Sequence, residues 1–195
     1  MALVGHGHTG KTALVDALAH HCKSTKRIGS TADGTSISDT EPEERERKQT
    51  LAAHLFRLPL GQVQMNLFDT PGHPDFVADA IAALDVVETA VFCVNAQQPL
   101  TFHLRQLWRA AGAAGTGRAI VVTHLDQEKT SFDAVVAELR QVFGHAVVPV
   151  TYPNGSGRGF TAVHMVTHDE GPQATKYHDM IEEDEAEVDD TLMEH

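Results

Sequence analysis

This 195-residue sequence has only two cysteines and no long hydrophobic run. No apolar run approaches the about 18 residues of a membrane span, and no signal peptide is visible at the start. The two cysteines, Cys22 and Cys93, have no metal-ligating partner at a useful spacing, and their small number fits a reducing cytoplasm. We therefore expect a cytoplasmic protein with no membrane partner.

Basic residues are also scarce, since 15 lysines and arginines stand against 27 acidic residues and leave a net charge of −12. The imbalance is local: residues 169–195 hold eleven acidic residues and one lysine, so the remaining 168 residues carry only −2. A broad basic surface is not indicated, and we expect no direct sequence-specific nucleic-acid binding by this chain. The 13 histidines lack a carboxylate or cysteine framework, which favours non-ligands.

A glycine-rich loop, Gly5 to Thr12, is present and reads GHGHTGKT, which matches the phosphate-loop pattern G-x-x-x-x-G-K-[ST]. An apolar strand precedes the loop and helical spacing follows it, as the pattern requires. Glycines let backbone N–H groups point at an anion, the helix start adds positive charge, and the lysine and threonine suit phosphates and Mg²⁺. The alternative is a chance glycine-rich turn. The candidate phosphate-binding residues are Gly5, His6, Gly7, His8, Thr9, Gly10, Lys11 and Thr12.

Strands alternate with helices along the chain, which predicts an α/β fold of the P-loop NTPase class, with a mostly parallel sheet and helices on both faces. Segments 50–58 and 63–68 are joined by a short turn and should form an antiparallel hairpin. The strand AVFCVN is fully apolar, as expected in a sheet covered on both faces, and RAIVVT is expected to be another buried strand. These two strands are residues 90–95 and 118–123, and strands are also predicted at 2–4 and 147–150. The predicted helices are 11–22, 74–84, 100–114 and 132–143.

Residues 23–49 lack periodicity and are rich in Ser, Thr, Gly, Asp and Glu. An irregular segment of this length in a compact domain is usually functional or disordered. It leads into the charged run 43–50, which is able to form helical turns. Two interpretations stay open: a solvated surface loop, or a switch that becomes ordered around a γ-phosphate.

Polar residues follow two of the predicted strands at their carboxyl ends, where ligands bind in such sheets. Asp69 stands next to a phosphate loop in this arrangement and is placed to hold Mg²⁺ through water. Gly72 offers a backbone N–H to a γ-phosphate and can change conformation when that phosphate leaves. The second group is the sequence THLD at 123–126.

The pattern changes at Tyr152. Residues 153–159 should form a loop, 160–166 a short strand and 167–175 a polar irregular stretch. A strongly acidic helix is expected from 176 to 194. Its apolar stripe would consist of Tyr177, Ile181, Val188, Leu192 and Met193.

With these motifs, the chain resembles the GTPase domain of a translational GTPase of the elongation factor G type, over essentially its whole length. GHGHTGKT is similar to the family's first nucleotide motif, residues 27–39 are similar to its first switch, and ERKQTL at 46–51 stands where the family has ERGITI. DTPGH at 69–73 is the family's motif unaltered, and AQQ at 96–98 repeats another. Residues 181–194 are similar to the helix that follows the family's small inserted subdomain.

The resemblance implies GTP and GDP as ligands, Mg²⁺ as the cofactor and the ribosome as the partner of the full-length factor. It implies that Thr12 and Thr50 ligate the metal and that Asp69 holds it. His73, Thr50 and Gly72 would form the catalytic set, in which His73 orients the attacking water. The alternative for His73 is a local role, such as capping the next helix.

The resemblance also has departures. Where the family has NKxD, this chain has Thr123, His124 and Asp126, of which Asp126 would still accept hydrogens from guanine. Lys48 and Gln49 replace glycine and isoleucine in the first switch. The family's last guanine motif and its final strand and helix have no counterpart in the sequence, and the insert is far shorter.

The resemblance therefore implies a GTPase domain at 1–150 that lacks its last strand and helix, followed by a reduced insert and an acidic helix at 151–195. It also implies that the chain is a fragment or truncated version of a longer factor. Three interpretations of its function stay open: an active GTPase domain, a nucleotide-binding regulatory module with little turnover, and a fragment without activity of its own.

Overall fold

The computed structural model describes residues 1–168 and 171–193. The chain divides into two compact units, one formed by residues 1–95 and 100–123 and the other by residues 96–99 and 124–195. The main division between these units therefore falls after residue 123.

A five-stranded sheet forms the first unit. Its strands are β1 (Ala2–Val4), β2 (His54–Leu60), β3 (Val63–Asp69), β4 (Thr89–Asn95) and β5 (Gly117–Thr123), and its helices are α1 (Lys11–His21), α2 (Pro42–Arg47), α3 (Val77–Leu84) and α4 (Phe102–Ala113). The strand order is β2-β3-β1-β4-β5. β2 and β3 are antiparallel, and all other pairs are parallel. The predicted mostly parallel sheet and its hairpin are confirmed.

Helices cover both faces of this sheet, because neighbouring residues of β4 point to opposite sides. Val91 belongs to a core that includes side chains of α1, whereas Phe92 packs edge-on against Trp108 of α4, with ring centroids 4.9 Å apart. The prediction of helices on both faces is confirmed. The buried core on the α1 side consists of Leu3, Val15, Ala19, Leu58, Leu67 and Val91.

The four parallel strands of the first unit end at the same edge of the sheet. Leu3 lies beside Asp69 in the β1–β3 register, and Asn95 lies beside Thr123 in the β4–β5 register. The segments that leave these strand ends therefore start close together, and this edge positions the candidate site.

Two predicted strands of the first unit differ from the observed ones. β2 begins at His54 rather than at Thr50, because the hydroxyl of Thr50 and the backbone N–H of Leu51 bond to other segments instead of to a strand. The prediction that 118–123 is a buried strand is wrong as to burial. Within the described part of the chain, β5 pairs with β4 alone, and its residues are exposed or half-buried.

The second unit contains a two-stranded antiparallel sheet and two helices. These elements are α5 (Phe132–Phe143), β6 (Thr151–Asn154), β7 (Ala162–Met165) and α6 (Pro172–Met193). The core of the unit is formed by Tyr152, Val166, Ala174 and Tyr177. The hydroxyl of Tyr177 donates to a carboxylate oxygen of Asp133 at 2.7 Å, which ties α6 to α5.

The strand predicted at 147–150 is not formed. The backbone of Val147 bonds locally at the end of α5, with its N–H donating to Gly144 and its carbonyl accepting from the side chain of Arg140. Pro149 has no N–H to donate to a ladder. Strand pairing starts in β6 instead, which takes up the first residues of the predicted loop.

The helix α6 begins at Pro172, earlier than predicted, since proline suits the first turn of a helix. The predicted helix end, Glu194, and the side chains of Val188, Leu192 and Met193 lie outside the described residues. Within 1–168 and 171–193, the helices are too short or too polar to cross a membrane.

The core of the first unit can be tested at Leu67 on β3, which is fully buried. Leu67→Ala leaves a cavity, so we expect the free energy of unfolding in urea to fall by about 2–5 kcal/mol. Val63 lies on the same strand and is 64% exposed, so the matched variant Val63→Ala should cost less than about 0.5 kcal/mol. Equal losses for the two variants would contradict the assigned core.

Candidate nucleotide site

The loop between β1 and α1 has the backbone that a phosphate loop requires. Gly5 and Gly10 adopt φ angles of 147° and 82°, which glycine accepts without strain. A Cβ atom on Gly5 would lie 2.5 Å from the carbonyl oxygen of Cys93, so no side chain fits there. Gly10 is the residue immediately before α1. The predicted strand–loop–helix arrangement is therefore formed.

Lys11 lies over this loop and is only 6% exposed. Its Nζ donates to the carbonyl oxygens of Gly5 at 3.1 Å and of His6 at 2.8 Å. Burial lowers the pKa of the Lys11 ammonium, and the charge of Asp69 opposes that change. Gly72 also reaches the loop, since a Cβ atom on it would lie 2.5 Å from Lys11 Nζ. The lysine and the glycine predicted to face the γ-phosphate thus lie side by side.

Two strand ends anchor the backbone of the loop. The hydroxyl of Thr123 lies 3.0 Å from the carbonyl oxygen of Thr9 and 3.1 Å from that of Val94. The amide of Asn95 donates to the carbonyl of His8 at 3.4 Å. Thr123, predicted on the base side of the nucleotide, therefore contacts the phosphate loop. Asn95 is an anchor that the sequence patterns did not reveal.

The three predicted metal residues meet at the carboxyl end of β3. The Thr12 hydroxyl donates to Asp69 Oδ2 at 2.7 Å and lies 3.1 Å from the Thr50 hydroxyl. Asp69 is 0% exposed, and its Oδ1 is buried without a hydrogen-bond partner. A buried polar atom without a partner is rare and is commonly satisfied by an ion or water. Hydroxyl and carboxylate oxygens are the ligands that Mg²⁺ prefers, so these residues fit a magnesium site.

The electrostatics of Asp69 also fit a bound cation. Burial raises the pKa of Asp69, whereas hydrogen bonds from Ser38 and Thr12 and the charge of Lys11 oppose the rise. A divalent cation would favour the ionised form further. Among the described side chains, no group of three or more His, Cys, Asp or Glu is arranged to hold a metal ion. A cation beside Asp69 would therefore depend on hydroxyl groups and water.

Glu44 holds the segment that carries Thr50. The sequence pattern placed this glutamate in a charged run, for which a solvated surface loop was one of the two interpretations. Glu44 is fully buried in α2. Its carboxylate accepts the backbone N–H groups of Leu51 at 2.9 Å and Glu41 at 3.2 Å, and it lies 2.9 Å from His54 Nε2. Burial alone would raise the pKa of Glu44, but these hydrogen bonds outweigh burial and lower it. The predicted helical turns are confirmed.

His73 caps the 3₁₀ turn Pro74–Phe76 that leads into α3. Its Nδ1 accepts the backbone N–H of Asp75 at 3.3 Å and lies 3.4 Å from Oδ2 of the same residue. The local capping role therefore exists, and it leaves Nε2 for a second contact. Thr70 fixes the preceding turn, because its buried hydroxyl donates to the carbonyl of Leu3 at 2.7 Å.

His103 of α4 lies against His6 of the phosphate loop, and this contact was not predicted. The rings of His6 and His103 meet edge-on, with centroids 6.4 Å apart. His6 Nδ1 and His103 Nε2 are both buried without a hydrogen-bond partner. Burial lowers the pKa of both rings, and the positive charge of Lys11 and the neighbouring His73 lower it further. No spacing in the sequence joins positions 6 and 103.

The remaining predicted residues, His124 and Asp126, lie in the second unit. His124 has a φ of 60°, and Asp126 is exposed, with Oδ2 accepting the side-chain amide of Gln127 at 3.2 Å. The turn is held by the carbonyl of Leu125, which accepts the backbone N–H of Gly157 at 2.8 Å.

Sequence comparison relates the chain to known GTP-binding domains. Residues 1–190 match the family described as the elongation factor Tu GTP binding domain. An elongation factor G-like protein of Mycobacterium tuberculosis is 29% identical over 177 residues, covering 90% of this chain and 25% of the relative. Elongation factor G of Mycoplasma genitalium is 29% identical over 161 residues, covering 83% of this chain and 23% of the relative. The chain thus spans about a quarter of the length of these curated relatives.

Comparison of structures agrees with the comparison of sequences. The crystal structure of the protein ttk003000868 from Thermus thermophilus is similar with a TM-score of 0.81 and 30% identity, covering 86% of this chain and 25% of that one. The predicted resemblance to translational GTPases of the elongation factor G type is confirmed.

The histidine pair generates a prediction about acid stability. The lowered pKa values mean that the unfolded chain binds more protons than the folded one just below the ordinary value of 6.5. Stability should therefore fall as the pH drops through that range. His103→Gln removes one of the two rings, so its free energy of unfolding in urea should fall less between about pH 7.5 and about pH 5.5. His21→Gln, at an exposed position of α1, is the matched control, and equal slopes for both variants would contradict this role.

Proposed function

The chain belongs to the family of elongation factor Tu GTP-binding domains, and on that premise we propose that it binds GTP and GDP with Mg²⁺ and hydrolyses GTP. We further propose that it is the GTPase domain of a cytoplasmic elongation factor G-like protein that acts on the ribosome. The observation that carries this function is the cluster of Thr12, Thr50 and Asp69 beside Lys11 on a phosphate loop. Phosphoryl transfer requires groups that bind the phosphates and oxygen ligands that hold a metal ion.

Each residue of the cluster has a distinct role in this proposal. Lys11 and the loop N–H groups bind the phosphates, and they offset charge that develops during the reaction. Thr12 and Thr50 offer hydroxyl oxygens to the metal, and Asp69 holds metal-bound water. The bound Mg²⁺ would neutralise the phosphate oxygens. Gly72, which lies against Lys11, offers its N–H to the γ-phosphate.

His73 positions the attacking water in this proposal. Its Nδ1 is engaged in the helix cap, so the ring has a defined orientation and Nε2 is the atom that meets the water. Catalysis of phosphoryl transfer rests on such positioning more than on covalent chemistry. Asp126 reads guanine, since a carboxylate accepts two N–H groups that adenine does not present.

A nucleotide-binding regulatory module with little turnover is the second candidate function. One observation favours it: Lys48, where the family has glycine, adopts a φ of 52°. A non-glycine residue in the left-handed region costs of order 1 kcal/mol or more. This strain lies two residues before Thr50, so it would weaken the ordering of that threonine around a γ-phosphate.

Calorimetry with GDP, GTP and ATP in the presence of Mg²⁺ tests the proposed binding. We expect both guanine nucleotides to bind and ATP to show no detectable heat. Asp126→Asn replaces one of the two carboxylate oxygens by an NH₂ donor, which would face an N–H donor of guanine. The hydrogen-bonding group left unpaired in such a site should weaken GDP binding about 100-fold or more. The exposed Asp179→Asn in α6 is the control for charge alone. Equal affinity for ATP and GTP would contradict guanine binding.

GTP turnover by the wild type and by His73→Ala separates the two candidate functions and tests the role of His73. This variant should bind GTP like the wild type, but it should lose about 100-fold or more of any ribosome-stimulated hydrolysis, because the water loses its positioning group. Phosphate release with and without ribosomes is the measurement, and His21→Ala is the control. Unchanged stimulation in His73→Ala would refute the role of His73. A wild-type chain that binds GTP without turnover in either condition would favour the regulatory module.

A further inference from the structure

Ser38 is a buried hydroxyl in the irregular segment between α1 and α2. It is 0% exposed, and its Oγ donates to Asp69 Oδ2 at 2.6 Å. The Thr12 hydroxyl donates to the same oxygen at 2.7 Å. Asp69 Oδ2 therefore accepts two hydroxyl groups, while Oδ1 of the same carboxylate is buried without a partner.

The backbone around Ser38 is held in place by contacts that do not involve Asp69. Oδ1 of Asp16, a buried residue of α1, accepts the backbone N–H of Ile37 at 3.0 Å. Gly29 packs so closely that a Cβ atom on it would lie 2.5 Å from the same oxygen. The N–H of Ser38 itself donates to the Ser36 hydroxyl at 3.1 Å. The Ser38 hydroxyl is thus presented to Asp69 by a packed segment.

The two carboxylate oxygens of Asp69 differ in their hydrogen bonds, and this difference suits the binding of a hydrated metal ion. An ionised carboxylate accepts about four hydrogen bonds. With Oδ2 occupied by two hydroxyl groups, Oδ1 is the acceptor that stays open to metal-bound water. Thr12 can keep its hydrogen on Asp69 while its oxygen turns to a cation, but Ser38 has Asp69 as the partner of its hydroxyl and is not itself needed as a ligand.

We propose that Ser38 is a positioning residue of the magnesium site, which holds Asp69 by Oδ2 and reserves Oδ1 for metal-bound water. This inference rests on the proposed function. It makes Ser38 a contact between the irregular segment and the metal site, in addition to the contact that Thr50 makes after α2. It also distinguishes Ser38 from a group that merely satisfies a buried carboxylate, since the hydroxyl would matter more when the metal is bound than when it is absent.

The Mg²⁺ dependence of fluorescent GDP release tests the role of Ser38. A hydrogen bond to a charged group is worth enough to change a binding constant about tenfold. We therefore expect Ser38→Ala to need about tenfold more Mg²⁺ to slow GDP release, with unchanged release in EDTA. Ser38→Cys keeps a side chain of similar shape with a weak S–H donor, so its Mg²⁺ requirement should lie between those of the wild type and Ser38→Ala. Ser30→Ala, in the same segment, removes a hydroxyl that accepts from the Asp33 backbone, and it should match the wild type.

Three results would overturn the inference, and each has a different meaning. Identical Mg²⁺ dependence in Ser38→Ala and wild type would remove Ser38 from the metal site and leave the proposed function intact. Faster release in EDTA by the same factor as in Mg²⁺, in both Ser38 variants, would show that Ser38 serves only the fold. A wild-type chain that retains no GDP in Mg²⁺ would overturn the proposed function, and this inference with it.

Discussion

The buried carboxylate of Asp69 is the interaction on which the rest of the first unit depends. It ends β3, and it draws in Thr12 from α1 and Ser38 from the irregular segment. Thr50 reaches the same cluster through the Thr12 hydroxyl. Because an uncompensated buried charge costs several kcal/mol, a strand end, a helix start and a switch-like segment must stay together to satisfy one side chain. The same requirement leaves a polar, oxygen-lined place beside the phosphate loop.

The titratable groups around the loop are withdrawn from water, so burial is the main influence on their pKa values. Lys11 is held by loop carbonyls, and burial lowers the pKa of its ammonium. The same cause lowers the pKa of the His6 and His103 rings. An anion that enters here reverses this penalty, since it favours every protonated group that the fold has buried. The loop is therefore assembled at some cost to the protein alone, and a bound phosphate would relieve that cost.

The parts of the site that the sequence predicted are those with a local physical signature. Gly5 and Gly10 need positive φ angles between a strand and a helix, and Asp69 stands at a strand end, so pattern and geometry coincide. Glu44 was hidden in a charged run, because burial of a glutamate depends on backbone donors that lie up to seven residues away. Ser38 meets a partner 31 residues away and has no spacing signal at all. Tertiary contacts determine whether such residues are buried in a site. The strand expected at 147–150 is not formed for a similar reason, because the end of α5 competes for its backbone hydrogen bonds.

The most direct test of the central claim is a crystal structure of the chain with a non-hydrolysable GTP analogue and Mg²⁺. We expect phosphates on the loop beside Lys11, a magnesium ion ligated by the hydroxyls of Thr12 and Thr50 at about 2.0–2.1 Å, and metal-bound water on Asp69 Oδ1. A metal bound elsewhere, or a nucleotide whose phosphates do not lie on the loop, would contradict the claim.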